Sequence, residues 1–173
     1  TMTVGEAIDR YIESKDGVLS PSTVAGYKRI RKSALQELMP VKLPSLTQEA
    51  VQKAVNKMAK NKSPKSVANA HGLLSAALGM FCPDMTLRTT LPQKKRYEAH
   101  IPEENEIRTM ILAARGKKIE LPLLLALWLG LRASEIRGLT WESIEGNTVA
   151  ISKAIVQGED GPAEKTTKTV SGS

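Results

Sequence analysis

Residues 121–141 read LPLLLALWLGLRASEIRGLTW. From Leu121 to Leu129 every position is apolar, so no face is left for water, and the segment is predicted to form a helix buried inside a domain. At nine residues it is too short for a membrane span, which needs roughly 20. The run ends in Gly130-Leu131-Arg132 and restarts as a short amphipathic helix from about Ser134 to Leu139. An arginine directly after an apolar helix has two readings. It is a helix-end residue reaching for solvent, favoured by the helix dipole, or a charge held at the rim of a core for a purpose.

Working outward toward the C-terminus, Gly146-Asn147 reads as a turn and residues 148–156 as a β-branched strand. Residues 158–162 read as a hairpin turn, with a second strand near 164–169. Toward the N-terminus, a helix starts near Glu103 with acids in its first turn, where the dipole favours them, and points Ile107, Met110, Ile111 and Ala114 inward until Gly116. Before it, residues 83–102 lose all periodicity: Pro, Thr and Lys dominate, and Lys94-Lys95-Arg96 forms a small basic run. That stretch is the predicted linker.

The first 82 residues are helical in pattern. Val4, Ala7, Ile8, Tyr11 and Ile12 set a first amphipathic helix over 3–15, stopped at Asp16-Gly17. Ser20-Pro21 opens a second, whose stripe of Val24, Tyr27, Ile30, Ala34, Leu35 and Leu38 predicts a helix running up to Pro40; its other face carries Lys28, Arg29 and Lys32. Thr47 opens a third with Ala50, Val51, Ala54, Val55 and Met58 inward. Ser63-Pro64 opens a fourth with Val67, Ala70, Leu74, Ala77, Leu78 and Phe81 inward. Four helices with short loops predict a compact bundle. The expected fold class is therefore mainly α: a four-helix N-terminal domain over 1–82, a linker over 83–102, and over 103–173 a second domain that begins helical and becomes β.

Charge divides along the same line. Residues 1–100 hold 16 basic side chains against 8 acidic, and residues 101–173 hold 9 against 10. A basic helical module is the expected footprint for a polyanion, because each cation set on a phosphate releases condensed counterions; it is equally the pattern of a basic solvated surface. Cys82 is the single cysteine, which excludes an intramolecular disulfide and any multi-cysteine metal site. His71 and His100 are far apart in sequence, so neither a metal nor another cofactor is expected. With no signal-peptide pattern either, the expected setting is the reducing cytoplasm.

The arginine segment resembles the first catalytic-arginine segment of the tyrosine recombinases, the phage and transposon integrases. There a buried helix is followed by Gly-Leu-Arg, two residues, Glu, and a Leu-x-Trp that packs the short helix back on the core. Here these stand as Gly130, Leu131, Arg132, Glu135, Leu139 and Trp141, with Ile144 in place of the apolar residue that usually follows. The resemblance implies that Arg132 clamps the phosphate under attack through paired hydrogen bonds. It implies that Glu135 positions that arginine, the alternative being a solvated first-turn Glu. Family members also carry a catalytic lysine in a β-hairpin at this distance, which protonates the leaving 5′ oxygen. Lys168 fits that place, with Lys165 as the substitute and an ordinary hairpin lysine as the alternative.

The same resemblance makes residues 1–82 a SAM-like core-binding domain on double-stranded DNA at a recombination core site. Ser22, Thr23, Lys28, Arg29 and Lys32 on the second helix, and Lys62, Lys65, Ser66 and Asn69 at the start of the fourth, are the candidate contacts. Lysines would meet phosphates, and Asn69 could read a base edge. Lys94, Lys95 and Arg96 would cross the backbone if the linker wraps the duplex. The family's His-x-x-Arg segment and its C-terminal nucleophilic Tyr have no counterpart after Arg132: Tyr11, Tyr27 and Tyr97 all precede it. The implied identity is thus a fragment of an integrase, inactive alone, whose intact parent would join a synaptic tetramer and cut through a 3′-phosphotyrosine bond. Two rivals remain: a non-catalytic DNA-binding protein that occupies recombination sites, and a helical module whose basic face meets an acidic protein.

Overall fold

The computed structural model describes residues 1–94 and 98–166 and divides into two compact units, Thr1–Arg96 and Tyr97–Ser173. The mainly helical fold class expected from the periodicity is what the chain adopts. In the first unit α1 spans Val4–Glu13, α2 Pro21–Ser33, α3 Gln48–Ala59 and α4 Pro64–Phe81. Each start has a local cause. Thr3 caps α1 reciprocally with Glu6: the Glu6 N–H donates to Thr3 Oγ1 at 3.2 Å, and the Thr3 N–H donates to Glu6 Oε2 at 2.7 Å. Thr47 and Ser63 cap α3 and α4 by accepting from the Ala50 and Ser66 N–H groups. Ser20 takes the cap position of α2, but its hydroxyl bonds Thr23 Oγ1 at 2.8 Å instead of a main-chain donor.

The second helix is shorter than its stripe predicts. It stops at Ser33; Ala34 is extended, Leu35 is left-handed at φ 50°, and a 3₁₀ turn covers Gln36–Leu38. Gln36 Nε2 donates to the carbonyls of Arg31 at 2.7 Å and Ala34 at 3.1 Å, satisfying acceptors that an ended helix leaves open. Ala34, Leu35 and Leu38 are nonetheless buried, so the sequence reported burial correctly and helix incorrectly. The break lets the chain fold under α1, where the Val4 and Gly5 N–H groups donate to Val41 O and Met39 O. Leu74, Leu78, Val4, Val51, Val55 and Val67 form the centre of the core.

Part of the expected linker is fixed to this unit. Gln48 on α3 donates to Thr86 O at 2.7 Å and accepts from the Arg88 N–H at 2.9 Å. One turn later Gln52 donates to Thr90 O at 3.0 Å and accepts from the Thr90 N–H at 2.8 Å. The two amides thus act as one more strand edge for a segment that otherwise has no ladder, while Leu87 and Leu91 pack on the core.

The second unit runs α5 (Glu104–Ala114), α6 (Glu120–Leu129), α7 (Ala133–Gly138), a 3₁₀ turn (Trp141–Ser143), then β1 (Ile144–Glu145), β2 (Thr148–Val149), β3 (Lys153–Gln157) and β4 (Pro162–Thr166). β1 pairs antiparallel with β2 around Gly146, whose φ of 54° suits glycine. β3 pairs antiparallel with β4, with Ala154 opposite Lys165 and Ile155 opposite Glu164. The single strand expected over 148–156 is two strands: Thr148–Val149 pairs back with Ile144–Glu145, a pairing that the Ala150 N–H extends by donating to Ser143 O at 2.8 Å, whereas Lys153–Gln157 pairs forward with Pro162–Thr166. The larger correction concerns α6. Its helix forms where predicted, but none of its residues is buried: Leu121, Trp128 and Leu129 are each more than half exposed. An all-apolar helix is buried only where neighbours cover every side, and α5, α7 and the hairpins do not.

Candidate nucleic-acid interface and arginine site

Gly130 ends α6 in the left-handed conformation at φ 64°, which an L side chain resists. Leu131 then turns inward and is buried, and that anchor sends the next residue outward. Arg132 is the extended residue before α7 and is 76% exposed, while the Glu135 side chain is only 14% exposed. The Glu135 carboxylate bridges the arginine from both ends. Its Oε2 accepts from the Arg132 main-chain N–H at 2.8 Å, and its Oε1 accepts from the guanidinium Nη1 at 2.8 Å. These contacts, the main-chain bond first and the guanidinium second, hold the Glu135 carboxyl below its ordinary range. Glu135 therefore stays ionised and fixes the root and one nitrogen of the guanidinium, leaving the rest of a rigid cationic fork facing solvent.

Trp141 does not pack the short helix down as the resemblance implied, whereas Leu139 is half-buried. Trp141 is 82% exposed, and with Leu121, Leu125, Ile136, Leu139 and Ile144 it lines an open cleft of 540 Å³. The hairpin sits against α7 through a contact that the sequence did not announce. Gly138 is buried, and a Cβ placed there would lie 2.5 Å from Lys153 O and 3.1 Å from Ala154 Cα on β3. Lys165 is half-buried on β4, and Lys168 lies outside the described residues. Across the ladder Lys153 Nζ approaches Glu164 Oε2 at 3.8 Å.

In the first unit, α2 and α4 are the acid-free helices: neither contains Asp or Glu. Between them runs a groove of 450 Å³ whose lining includes Thr23, Gly26, Tyr27, Asn69 and Gly72. Of the expected contacts, Thr23 and Asn69 meet there. Lys65 is exposed one turn before Asn69 on α4, and Ser22 and Arg29 flank Gly26 at one turn's spacing on α2. Ser66 bonds Ser63 Oγ at 3.0 Å within the α4 cap. Lys28 is half-buried, and Lys32 and Lys94 are exposed. Lys62 is elsewhere, lining a hollow with Glu37 and Lys57 beside the end of α2. Lys95 and Arg96 lie outside the described residues. Arg31, in the same basic run as Arg29 and Lys32, is diverted to structure: its Nη2 bonds Asp9 Oδ2 at 2.9 Å and lies over Gly5.

Three comparisons bear on this arrangement. No family model matches the chain, and no curated protein matches it in sequence. Among solved structures, it is similar to the Tn1549 transposon integrase in complex with transposon right-end DNA, with a TM-score of 0.75 and 18% identity over 97% of this chain and 58% of that one. The same integrase in complex with a circular intermediate DNA gives 0.77 and 19% over 98% and 58%. Lambda integrase bound to DNA gives 0.68 and 16% over 95% and 59%. The chain has the integrase fold. It spans less than two thirds of the length of these integrase structures, and it matches them across both units. Among the described residues, no helix is long and apolar enough to cross a membrane, and no group of three or more His, Cys, Asp or Glu could hold a metal ion.

Sequence reasoning missed Gly138, Gln48 and Gln52. The glutamines carried a signal, a Gln-x-x-x-Gln repeat one turn apart on α3. Gly138 gave none, because what matters about it is a neighbour remote in sequence, the main chain of Lys153.

Proposed function

We propose that the chain is the front part of a site-specific tyrosine recombinase, an integrase of a phage or other mobile element that binds duplex DNA at recombination core sites. The observation that carries this reading is the agreement of 95–98% of the chain with integrases solved on DNA. In it, residues 1–82 are the core-binding domain, 83–102 the connection and 103–173 the first part of the catalytic domain. The intact enzyme would act in the cytoplasm within a tetramer of protomers on two sites.

In this reading Arg132 binds the scissile phosphate. Nucleophilic attack adds negative charge to the non-bridging oxygens, and a guanidinium already oriented by Glu135 donates to them without reorganising in the transition state. Glu135 is a positioning residue, since its carboxylate is occupied by Arg132 and carries no proton to transfer. A hairpin lysine, Lys168 or Lys165, donates a proton to the leaving 5′ oxygen. Lys28, Arg29, Lys32, Lys62, Lys65, Lys94, Lys95 and Arg96 meet phosphates, and Ser22, Thr23, Ser66 and Asn69 add polar contacts.

The test is duplex binding by the 173-residue chain across a salt series. The expected result is a log-linear loss of affinity with salt; replacing Lys28, Arg29 and Lys32 by Ala together should flatten the slope by about three units if each meets a phosphate. No salt-dependent binding would overturn the reading, and binding to an acidic protein in its place would favour the protein-partner alternative.

A further inference from the structure

We propose that residues 85–91 are a strap that docks on α3 and is built to detach, so that the connection between the two units has a short, docked form and a long, released one. The two forms exist whatever the chain binds. The strap leaves α4 through a turn in which the Met85 N–H donates to Cys82 O at 2.9 Å. From there exposure alternates as along a strand: Met85, Leu87, Thr89 and Leu91 are half-buried, and Thr86, Arg88 and Thr90 are exposed. The Arg88 and Thr90 N–H groups, two residues apart, are separated by about 6.7 Å in an extended chain. Gln48 and Gln52, four residues apart, are separated by about 6 Å along a helix. That match lets one amide per turn of α3 stand in for a partner strand, at Arg88 and again at Thr90.

The docking is weak by construction. A glutamine must give up rotamer freedom to hold the strap, which the main chain of a partner strand does not, and all four bonds are at exposed positions. Met85, Leu87 and Leu91 pack on the core from its edge and stay half-buried. Between them, where another apolar side chain would complete the stripe, stands Thr89, whose hydroxyl is buried with no hydrogen-bond partner. Such a hydroxyl gains free energy by returning to water, so Thr89 favours release. Release moves the point of attachment back from Leu91 to Asp84 and adds up to about 25 Å of reach. The strap is therefore a length setting for the second unit.

The experiment is amide exchange, followed by NMR and corrected for intrinsic rates, on the full 173-residue chain. Thr89→Val, which keeps the side chain's shape and removes the hydroxyl, is the tightened variant, and Gln48→Ala/Gln52→Ala is the loosened one. In the parent, Arg88 and Thr90 should exchange at least tenfold faster than Leu74 and Leu78 on α4. Thr89→Val should slow Arg88 and Thr90 at least fivefold, and the glutamine variant should speed them by a similar factor. Spin labels at Lys60→Cys and Asn105→Cys, in a Cys82→Ser background, read the length: the distance distribution should extend further in the loosened variant than in the tightened one. Arg88 and Thr90 amides as slow as those of α4 would mean that the segment opens only with the whole bundle, and would overturn the strap; so would a Thr89→Val chain that exchanges like the parent. Equal distance distributions in the two variants would overturn the length setting.

Discussion

Gly138→Ala is the substitution on which the architecture around Arg132 can be judged. In an ordinary helix the change stabilises, by up to about 1 kcal/mol in an interior and less at an end. Here the new methyl would stand 2.5 Å from Lys153 O and 2.9 Å from Lys153 C, both main-chain atoms of β3. Backbone cannot rotate aside as a side-chain tip can, so strand and helix must separate by roughly 0.5–1 Å, an overpacking that costs about 1–3 kcal/mol. The clash outweighs the propensity gain, and a net loss of about 1–2 kcal/mol is expected. For a unit of this size, that corresponds to a fall of roughly 5–15 °C in melting temperature. Scanning calorimetry of the chain measures it, with Gly72→Ala in the first unit as the opposite-sign control. A Gly138→Ala chain that melts unchanged or higher would refute the close packing of α7 on the hairpin.

Four further outcomes are expected. Leu74→Ala should cost about 2–5 kcal/mol in chemical denaturation, because the side chain is 1% exposed at the centre of the bundle; a loss under 1 kcal/mol would mean the core is not packed there. Replacing Gln48 and Gln52 by Ala should speed amide exchange at Arg88 and Thr90 with little change in the amides of α4; unchanged exchange would show that the segment is held by something else. Burial pushes the His71 imidazole below its ordinary value of 6.5, and its Nε2 has no partner. The unfolded chain then takes up the proton first, so stability falls as pH drops through that range, and His71→Gln should flatten the fall between pH 7.5 and pH 5.5, about one unit either side of the ordinary value; a parallel fall in both proteins would rule out His71. Arg132→Ala should raise the Glu135 pKa, followed by NMR, yet leave it under the ordinary 4.5, since the main-chain N–H that contributes most survives the change. No rise would mean that the guanidinium does not hold the carboxylate.

The elements legible in the sequence are those whose signal is local. Ser and Thr caps three residues before their first-turn partners, a Pro at the first helical position and a 3.6-residue stripe each act within a turn or two, and α1, α3, α4 and α5 begin where those residues put them. The end of α2 was not legible, because its apolar stripe continues through Ala34, Leu35 and Leu38. That burial is real, but it is supplied by a 3₁₀ turn folded under α1, and only the Gln36 cap on Arg31 O and Ala34 O marks the change. Among the candidate site residues, the contact between Arg132 and Glu135 was legible, because three residues of spacing at a helix start suffice to join them. The split between Arg29 and Arg31 was not, since it depends on Asp9, which is remote in sequence.

The exposed face of α6 carries the same lesson to its limit. Composition states how much apolar surface a helix has, whereas burial depends on what else is folded against it, and a nine-residue run cannot say whether that partner is nearby. Leu121, Trp128 and Trp141 face solvent here at 60%, 67% and 82% exposure. Contiguous apolar surface of this kind is unusual on a self-contained domain. In the first unit, by contrast, α1 and α4 each find a covering partner, and the core closes. Stability should accordingly divide between the units. The bundle should hold its slowest-exchanging amides on α4, around Leu74 and Leu78, and the second unit should exchange earlier, α6 included. Hydrogen exchange read residue by residue decides this: protection in α6 equal to that in α4 would mean that its apolar face is covered after all, and the prediction of a weakly held second unit would fall.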